Sequence, residues 1–204
     1  MDVIELSIDE ILNTDLPILI SASYLSKYSA YEIMKTLHYI YDRELSTDQN
    51  RVYKYSHNNM NEIVIVYRGT SNCYDWYTNF LCFFGLKYIS SRCWRSIDIV
   101  KKAKTKYGKD KKIHVIGHSL GAFLCELSRA DGLILTYNKL VSLTDIGKTI
   151  NLNQYDIREK CDIVSILETT QHGGKKETIN IKDKNPLHAH TTDDMIEARD
   201  HIML

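Results

Sequence analysis

The segment of this 204-residue chain with the clearest chemical content is Gly117-His118-Ser119-Leu120-Gly121. It fits the pattern G-x-S-x-G, in which small flanking residues let the backbone turn sharply and expose a serine hydroxyl beside a helix N-terminus. A serine held this way can attack a carbonyl carbon. Its hydroxyl is neutral at working pH, so it needs a base within hydrogen-bond reach, and that base needs a carboxylate to orient it. Donors aimed at the developing oxyanion complete the requirement, and the backbone N–H of Leu120 is one of them. Eight histidines are available as the base. His38, His57 and His114 precede Ser119, His118 adjoins it, and His172, His188, His190 and His201 follow it. Asp145, Asp156 and Asp162 lie in the stretch where the orienting carboxylate is needed.

The motif gains force from its setting, because a strand must deliver the serine and a helix must carry the chain away. Lys112 to Ile116 is a short Ile/Val run, and Leu120 to Arg129 is helix-like and ends before Asp131 and Gly132. Upstream, Arg51 to Tyr55 and Glu62 to Arg68 are rich in Val, Ile and Tyr and flank HNNMN, which predicts an antiparallel hairpin with a somewhat long loop. Ser21 to about Tyr41 has apolar residues at three-residue spacing and predicts one helix, while residues 1 to 20 suggest a short helix and a connector around Pro17. Ser91 to Tyr107 predicts a further helix. Leu133 to Tyr137 and Asp162 to Leu167 read as strands, and Glu177 to Ile181 as an edge strand. Alternating strands and helices give an α/β fold with a mostly parallel sheet.

Composition bounds the possibilities. At 204 residues the chain suits one domain, 1–204, with residues 1–50 as a helical extension packed on it. Lys plus Arg and Asp plus Glu are 26 each, so the net charge is zero and the electrostatic footprint of a nucleic-acid binder is missing; Lys109, Lys111 and Lys112 read as a solvated turn. The acidic N-terminus disfavours a secretory or transit peptide, and no apolar run reaches the roughly 18 residues of a membrane helix. Cys73, Cys82, Cys93, Cys125 and Cys161 form no CxxC pair, which predicts reduced thiols, no zinc site and an intracellular, cytoplasmic chain. Such a chain suits a bacterium, a phage or a large DNA virus.

GHSLG, together with the upstream IVIVYRGT of Ile63 to Thr70, resembles the class 3 lipase family of α/β hydrolases. The resemblance extends to Asp75-Trp76, to Asp162-Ile163-Val164-Ser165 and to His190 in AHTTDDM, covering roughly residues 50 to 195 in order. It implies an α/β-hydrolase fold and a chain order of Ser, Asp, His. His190 then matches the stretch that holds the base, with His188 close enough to compete. Asp162 matches the carboxylate, with Asp145 and Asp156 as alternatives. Thr70 becomes the second oxyanion donor beside Leu120. Arg68 is expected to brace its loop through an ion pair, and Asp75 to cap a helix. The intervals from Ser119 to Asp162 and on to His190 are short for the family, which predicts a reduced sheet with about one strand unit in each. The family's His-x-Gly-Phe segment is absent, and Ala122 replaces a frequent glycine.

These residues describe a serine carboxylic-ester hydrolase acting on a lipid or small ester without cofactor or metal. Trp76, Tyr77, Phe80, Leu81, Phe83 and Phe84 are too many for one core-facing stripe, and are expected to form a substrate-binding flap or lid with transient contact to a lipid interface. Two rival readings are a catalytically inactive hydrolase fold serving as a binding or structural module, and a peripheral membrane binder resting on residues 76 to 84.

Overall fold

The computed structural model describes residues 7–57, 59–71, 73–179 and 190. Helix α1 (Ile8–Tyr24) starts at a capping box in which Ser7 and Glu10 exchange bonds, and it runs through Pro17, whose missing N–H deprives the Asn13 carbonyl of its usual helical donor. Leu12, Leu16, Leu19 and Ile20 form its buried stripe. The chain does not continue as one helix to Tyr41. Leu25 is extended, Ser26 caps a second helix α2 (Lys27–Thr36), and His38 at φ 64° turns the chain into β1 (Tyr39–Tyr41). Three-residue spacing of apolar side chains spans this break because β1 buries Tyr39 between flanking residues that the helical pattern also tolerates. The first 50 residues therefore contribute a sheet strand as well as helices.

Strands β2 (Asn50–His57) and β3 (Met60–Tyr67) form the expected hairpin, but His57 pairs with Met60, so the turn is two residues rather than the longer HNNMN. Next come α3 (Cys73–Phe83), α4 (Ser91–Tyr107), β4 (Ile113–His118), α5 (Leu120–Leu127), β5 (Ile134–Tyr137), β6 (Gln154–Glu159) and β7 (Lys175–Ile179). The seven strands lie side by side in chain order. The first two pairings are antiparallel and the remaining four are parallel.

Alternation along β3 explains the layers. Val64 and Val66 face α1 and α2 on one side, whereas Ile63, Ile65 and Tyr67 face the core shared with α4 and α5 on the other. Strands buried on both faces need continuous apolar runs, which IVIVY and the Ile/Val-rich start of β4 provide. Asp162 to Leu167 is not a strand. That stretch is a loop leading into the short 3₁₀ turn Ile166–Thr170, and β6 lies ahead of it at Gln154–Glu159. Two strands rather than one fit between Ser119 and Asp162, because β5 and β6 are joined without an α-helix. The result is an α/β-hydrolase-like fold with a mostly parallel sheet and an antiparallel hairpin towards one edge. Among the described residues, no helix is long and apolar enough to cross a membrane.

Candidate active site

Ser119 stands between β4 and α5 at φ 56° and ψ −121°, a left-handed conformation that a side-chain-bearing residue adopts only under constraint. The constraint comes from both sides. Its N–H donates to the Tyr137 carbonyl of β5 at 3.0 Å, and its carbonyl accepts from Phe123 of α5 at 3.2 Å. The flanking glycines are required by close approach. A Cβ on Gly117 would meet the Gly121 carbonyl at 2.5 Å, and one on Gly121 would meet the Tyr67 carbonyl at 2.1 Å.

His190 Nε2 lies 2.7 Å from Ser119 Oγ, and His190 Nδ1 lies 3.0 Å from Asp162 Oδ1. Asp162 is buried in the loop after β6, and the same oxygen accepts the Val164 N–H at 2.9 Å. Burial alone would raise this carboxyl. The hydrogen bond and charge of His190, with the Val164 N–H, outweigh it and hold Asp162 below the usual carboxylate range. Three residues far apart in the chain thus form one hydrogen-bonded line. The alternative carboxylates are engaged elsewhere: Asp145 bonds Lys87 at 3.2 Å, and Asp156 bonds Lys139 at 2.6 Å and the Thr136 hydroxyl at 2.5 Å. His188 and His201 lie outside the described residues.

Register brings the expected oxyanion donors alongside. Tyr67 pairs with Gly117, so the chain that leaves β3 through Arg68 and Gly69 reaches Thr70 next to the elbow. Thr70 lines the same cavity as Ser119, and its hydroxyl accepts from Asn79 Nδ2 of α3 at 2.7 Å. Leu120 opens α5, so its N–H has no intrahelical acceptor. Bracing of this loop falls to Arg92 and not to Arg68. The Arg92 guanidinium, fully buried at the start of α4, pairs with Asp75 and donates to the Arg68 and Gly69 carbonyls, the latter at 3.3 Å. Asp75 also accepts the Ser71 N–H at 2.9 Å, closing the turn into α3.

Two further groups support the site: His118, whose place inside the elbow predicts packing or hydrogen bonding rather than a turn back onto its neighbour, and Tyr24, which had no clear sequence signal. The His118 ring is engaged by partners other than Ser119. Its Nε2 lies 2.9 Å from the His190 carbonyl and its Nδ1 lies 3.1 Å from the Tyr24 hydroxyl. Burial pushes His118 down to about 3, with the His190 ring adding to the effect, so it is neutral at physiological pH. A neutral ring that donates to the His190 carbonyl through Nε2 must accept from Tyr24 through Nδ1. Tyr24 belongs to α1, outside the stretch of resemblance; its only trace in the sequence is its place at the end of an apolar helix.

A cavity of about 1130 Å³ opens beside Ser119, and none of the described residues lining it is Asp, Glu, Lys or Arg. Trp76, Phe80 and Phe83 of α3 form one wall, and Ile163, Val164 and Leu167 from the loop carrying Asp162 contribute another. Tyr77 and Phe84, expected with the same group, are exposed but are not part of this wall. Trp76 and Phe80 remain 69% and 59% exposed, while Asp75, Thr78, Leu81 and Cys82 make up the buried side of α3.

No protein-family model matches the chain, and no curated protein matches it either. Among solved structures it is similar to a fungal lipase in complex with an inhibitor, at 16% identity and a TM-score of 0.45, covering 78% of this chain and 74% of that one. It is also similar to the Lip2 lipase of Yarrowia lipolytica (15%, 0.49, 89% and 82%) and to the Rhizomucor miehei lipase in complex with its propeptide (18%, 0.47, 86% and 69%).

Proposed function

We propose that the chain is a serine carboxylic-ester hydrolase, a lipase acting on acylglycerols or related lipid esters through an acyl-enzyme on Ser119. The observation that carries this reading is the line from the buried Asp162 through both nitrogens of His190 to Ser119 Oγ, at the edge of an uncharged apolar cavity. Nδ1–H of His190 donates to Asp162, leaving Nε2 to take the Ser119 proton as the oxygen attacks the ester carbonyl. The N–H groups of Leu120 and Thr70 receive the oxyanion, and preorganised donors of this kind contribute roughly 3 kcal/mol or more each. The imidazolium then protonates the leaving alcohol, and water repeats the sequence to release the acid. Aromatic side chains of α3 are assigned to the acyl chain and to contact with a lipid interface.

The test is labelling by a serine-reactive fluorophosphonate, followed by a panel of esters varying in acyl length. Labelling of the wild-type chain that is lost in Ser119→Ala, together with turnover of at least one ester, supports the proposal. A chain that neither labels nor hydrolyses would instead be a non-catalytic binding module.

A further inference from the structure

Among the described residues, the side-chain contacts between α3 and the start of α4 fall on one seam. Tyr74 bonds Ser91 at 2.9 Å, Asp75 pairs with Arg92, Thr78 bonds Ser90 at 3.1 Å, and Cys82 Sγ lies 3.5 Å from Cys93 Sγ. Residues 75, 78 and 82 share one helical face, and residues 90 to 93 are the cap and first turn of α4. Both sulfurs are fully buried, whereas Cys73 and Cys161 are exposed. The α3–α4 seam thus ends in two thiols already in contact, beneath a helix whose opposite side faces solvent and the cavity.

We infer that Cys82 and Cys93 are a redox-sensitive dithiol whose closure to a disulfide clamps α3 onto α4. Its consequence for substrate admission rests on the ester-hydrolase reading above; its chemistry does not. Cys93 occupies the first turn of α4, where helix N–H groups and the neighbouring Arg92 favour a thiolate. The hydrogen bond from Cys82, the Ser90 hydroxyl and the charges of Arg92 and Lys87 all hold Cys93 below the usual thiol range against the effect of burial, whereas Cys82 is pushed up. Cys93 is therefore the attacking sulfur. With hydrogen peroxide as the oxidant, its thiolate attacks one peroxide oxygen; the O–O bond breaks and hydroxide leaves to become water, giving a sulfenic acid. Cys82 then attacks that sulfur, the S–S bond forms as the S–O bond breaks, and the hydroxide released combines with the Cys82 proton as a second water. The two sulfurs supply the two electrons that reduce the peroxide. Because the pair is buried, oxidation proceeds when α3 lifts and the bond closes when it returns. A thiol reductant reverses it by exchange.

The seam otherwise consists of bonds that α3 can break and remake. A covalent link at its end removes that freedom and fixes Trp76 and Phe80 where they are, while Asn79 continues to hold Thr70. The oxidised chain should therefore keep its activity on a short soluble ester and lose severalfold on a long-chain aggregated one.

The experiment treats the wild-type chain with hydrogen peroxide and maps peptides without reduction, using chymotryptic cleavage between Cys73 and Cys82. Hydrogen exchange over residues 73–83 is measured before and after treatment, along with the ratio of long-chain to short-ester rates. Expected results are a Cys82–Cys93 linked peptide lighter by two hydrogens, exchange in α3 slowed severalfold, a reduced rate ratio, reversal of all three by dithiothreitol, and none of them in Cys93→Ser or Cys82→Ala. Linkage through Cys73 or Cys161, or unlinked sulfinic acid alone, overturns the dithiol; unchanged α3 exchange with the link in place overturns the clamp. If no ester is turned over, the hydrolase reading fails, while the peptide map and the exchange still decide this inference.

Discussion

The φ of 56° at Ser119 holds its hydroxyl towards His190 at a conformational cost of about 1–3 kcal/mol. Ser119→Gly should therefore abolish fluorophosphonate labelling and raise unfolding stability by about 1 kcal/mol in urea, whereas Ser119→Ala abolishes labelling with little change in stability. A matching loss of stability in both variants would mean that the turn is not strained. Tyr24→Phe removes the donor to His118 Nδ1, and with it the group that fixes the ring's Nε2–H on the His190 carbonyl. Turnover should fall about tenfold, with about 1 kcal/mol of stability lost, and binding of a short ester unchanged. The pH profile follows from buried groups of opposite effect, His118 with the likewise depressed His114 on one side and Glu168 on the other. His118 is depressed to about 3, so the unfolded chain binds the extra proton below its ordinary value near 6.5, and stability falls as pH drops from there towards 3. Glu168, just beyond Asp162 in the 3₁₀ turn, is raised to about 7 by burial and the nearby Asp156. The folded chain therefore keeps a proton that the unfolded one releases, and stability falls as pH rises from about 4.5 to about 7. The two slopes, at most about 1.4 kcal/mol per pH unit for each group, oppose one another between about pH 4.5 and 6.5. Glu168→Gln should make the melting temperature rise more steeply with pH over that interval than it does in the wild type; an unchanged slope would refute the assignment. Asp162, held low, adds stability above the carboxylate range that is lost only in stronger acid.

Helix α3 has two sides with different duties, and substitutions should separate them. Trp76→Ser with Phe80→Ser removes exposed rings from the cavity wall; activity on long-chain esters should fall at least tenfold relative to an acetate ester, with the melting temperature almost unchanged. Arg92→Met removes the buried guanidinium that pairs with Asp75, and breaking a buried ion pair from one side costs about 3–5 kcal/mol; turnover of both esters should fall, because the Arg68 and Gly69 carbonyls lose their donor. Equal effects of the two changes on stability would show that the rings belong to the core. The same element shows what the sequence could and could not disclose. GHSLG between an apolar run and a helix was legible because the turn's chemistry is local, and the crowd of aromatic residues in 73–84 was legible because it exceeds one helical stripe. That Arg92 rather than Arg68 braces the loop was not, since 24 residues of chain separate Arg92 from the carbonyl it holds. Asp162 to Leu167 read as a strand because Ile, Val and Leu there line a cavity instead of a sheet, and composition alone does not distinguish the two kinds of apolar surface.

At the scale of the molecule, the sheet was legible as α/β from the alternation of runs, but β1 was hidden because three residues give too little pattern to set against a helical period. Tyr24 was hidden for a different reason. Its role depends on α1 crossing the sheet to reach His118, a contact 94 residues away in the chain. The strand order, sequential from β1 to β7, has a further consequence for synthesis. As the chain emerges from the ribosome, each strand can dock on its immediate predecessor without waiting for a later one to be inserted between them. The sheet thus grows in one direction, with Ser119 just after the fourth strand and Asp162 after the sixth, and His190 arrives only when the seventh has been made. A chain stopped at Ile179 contains all seven described strands but not His190, the proposed base. It should fold, as read by circular dichroism and cooperative melting, and remain unreactive towards fluorophosphonate, so that on the proposed reading the nascent chain stays chemically silent until His190 has been made.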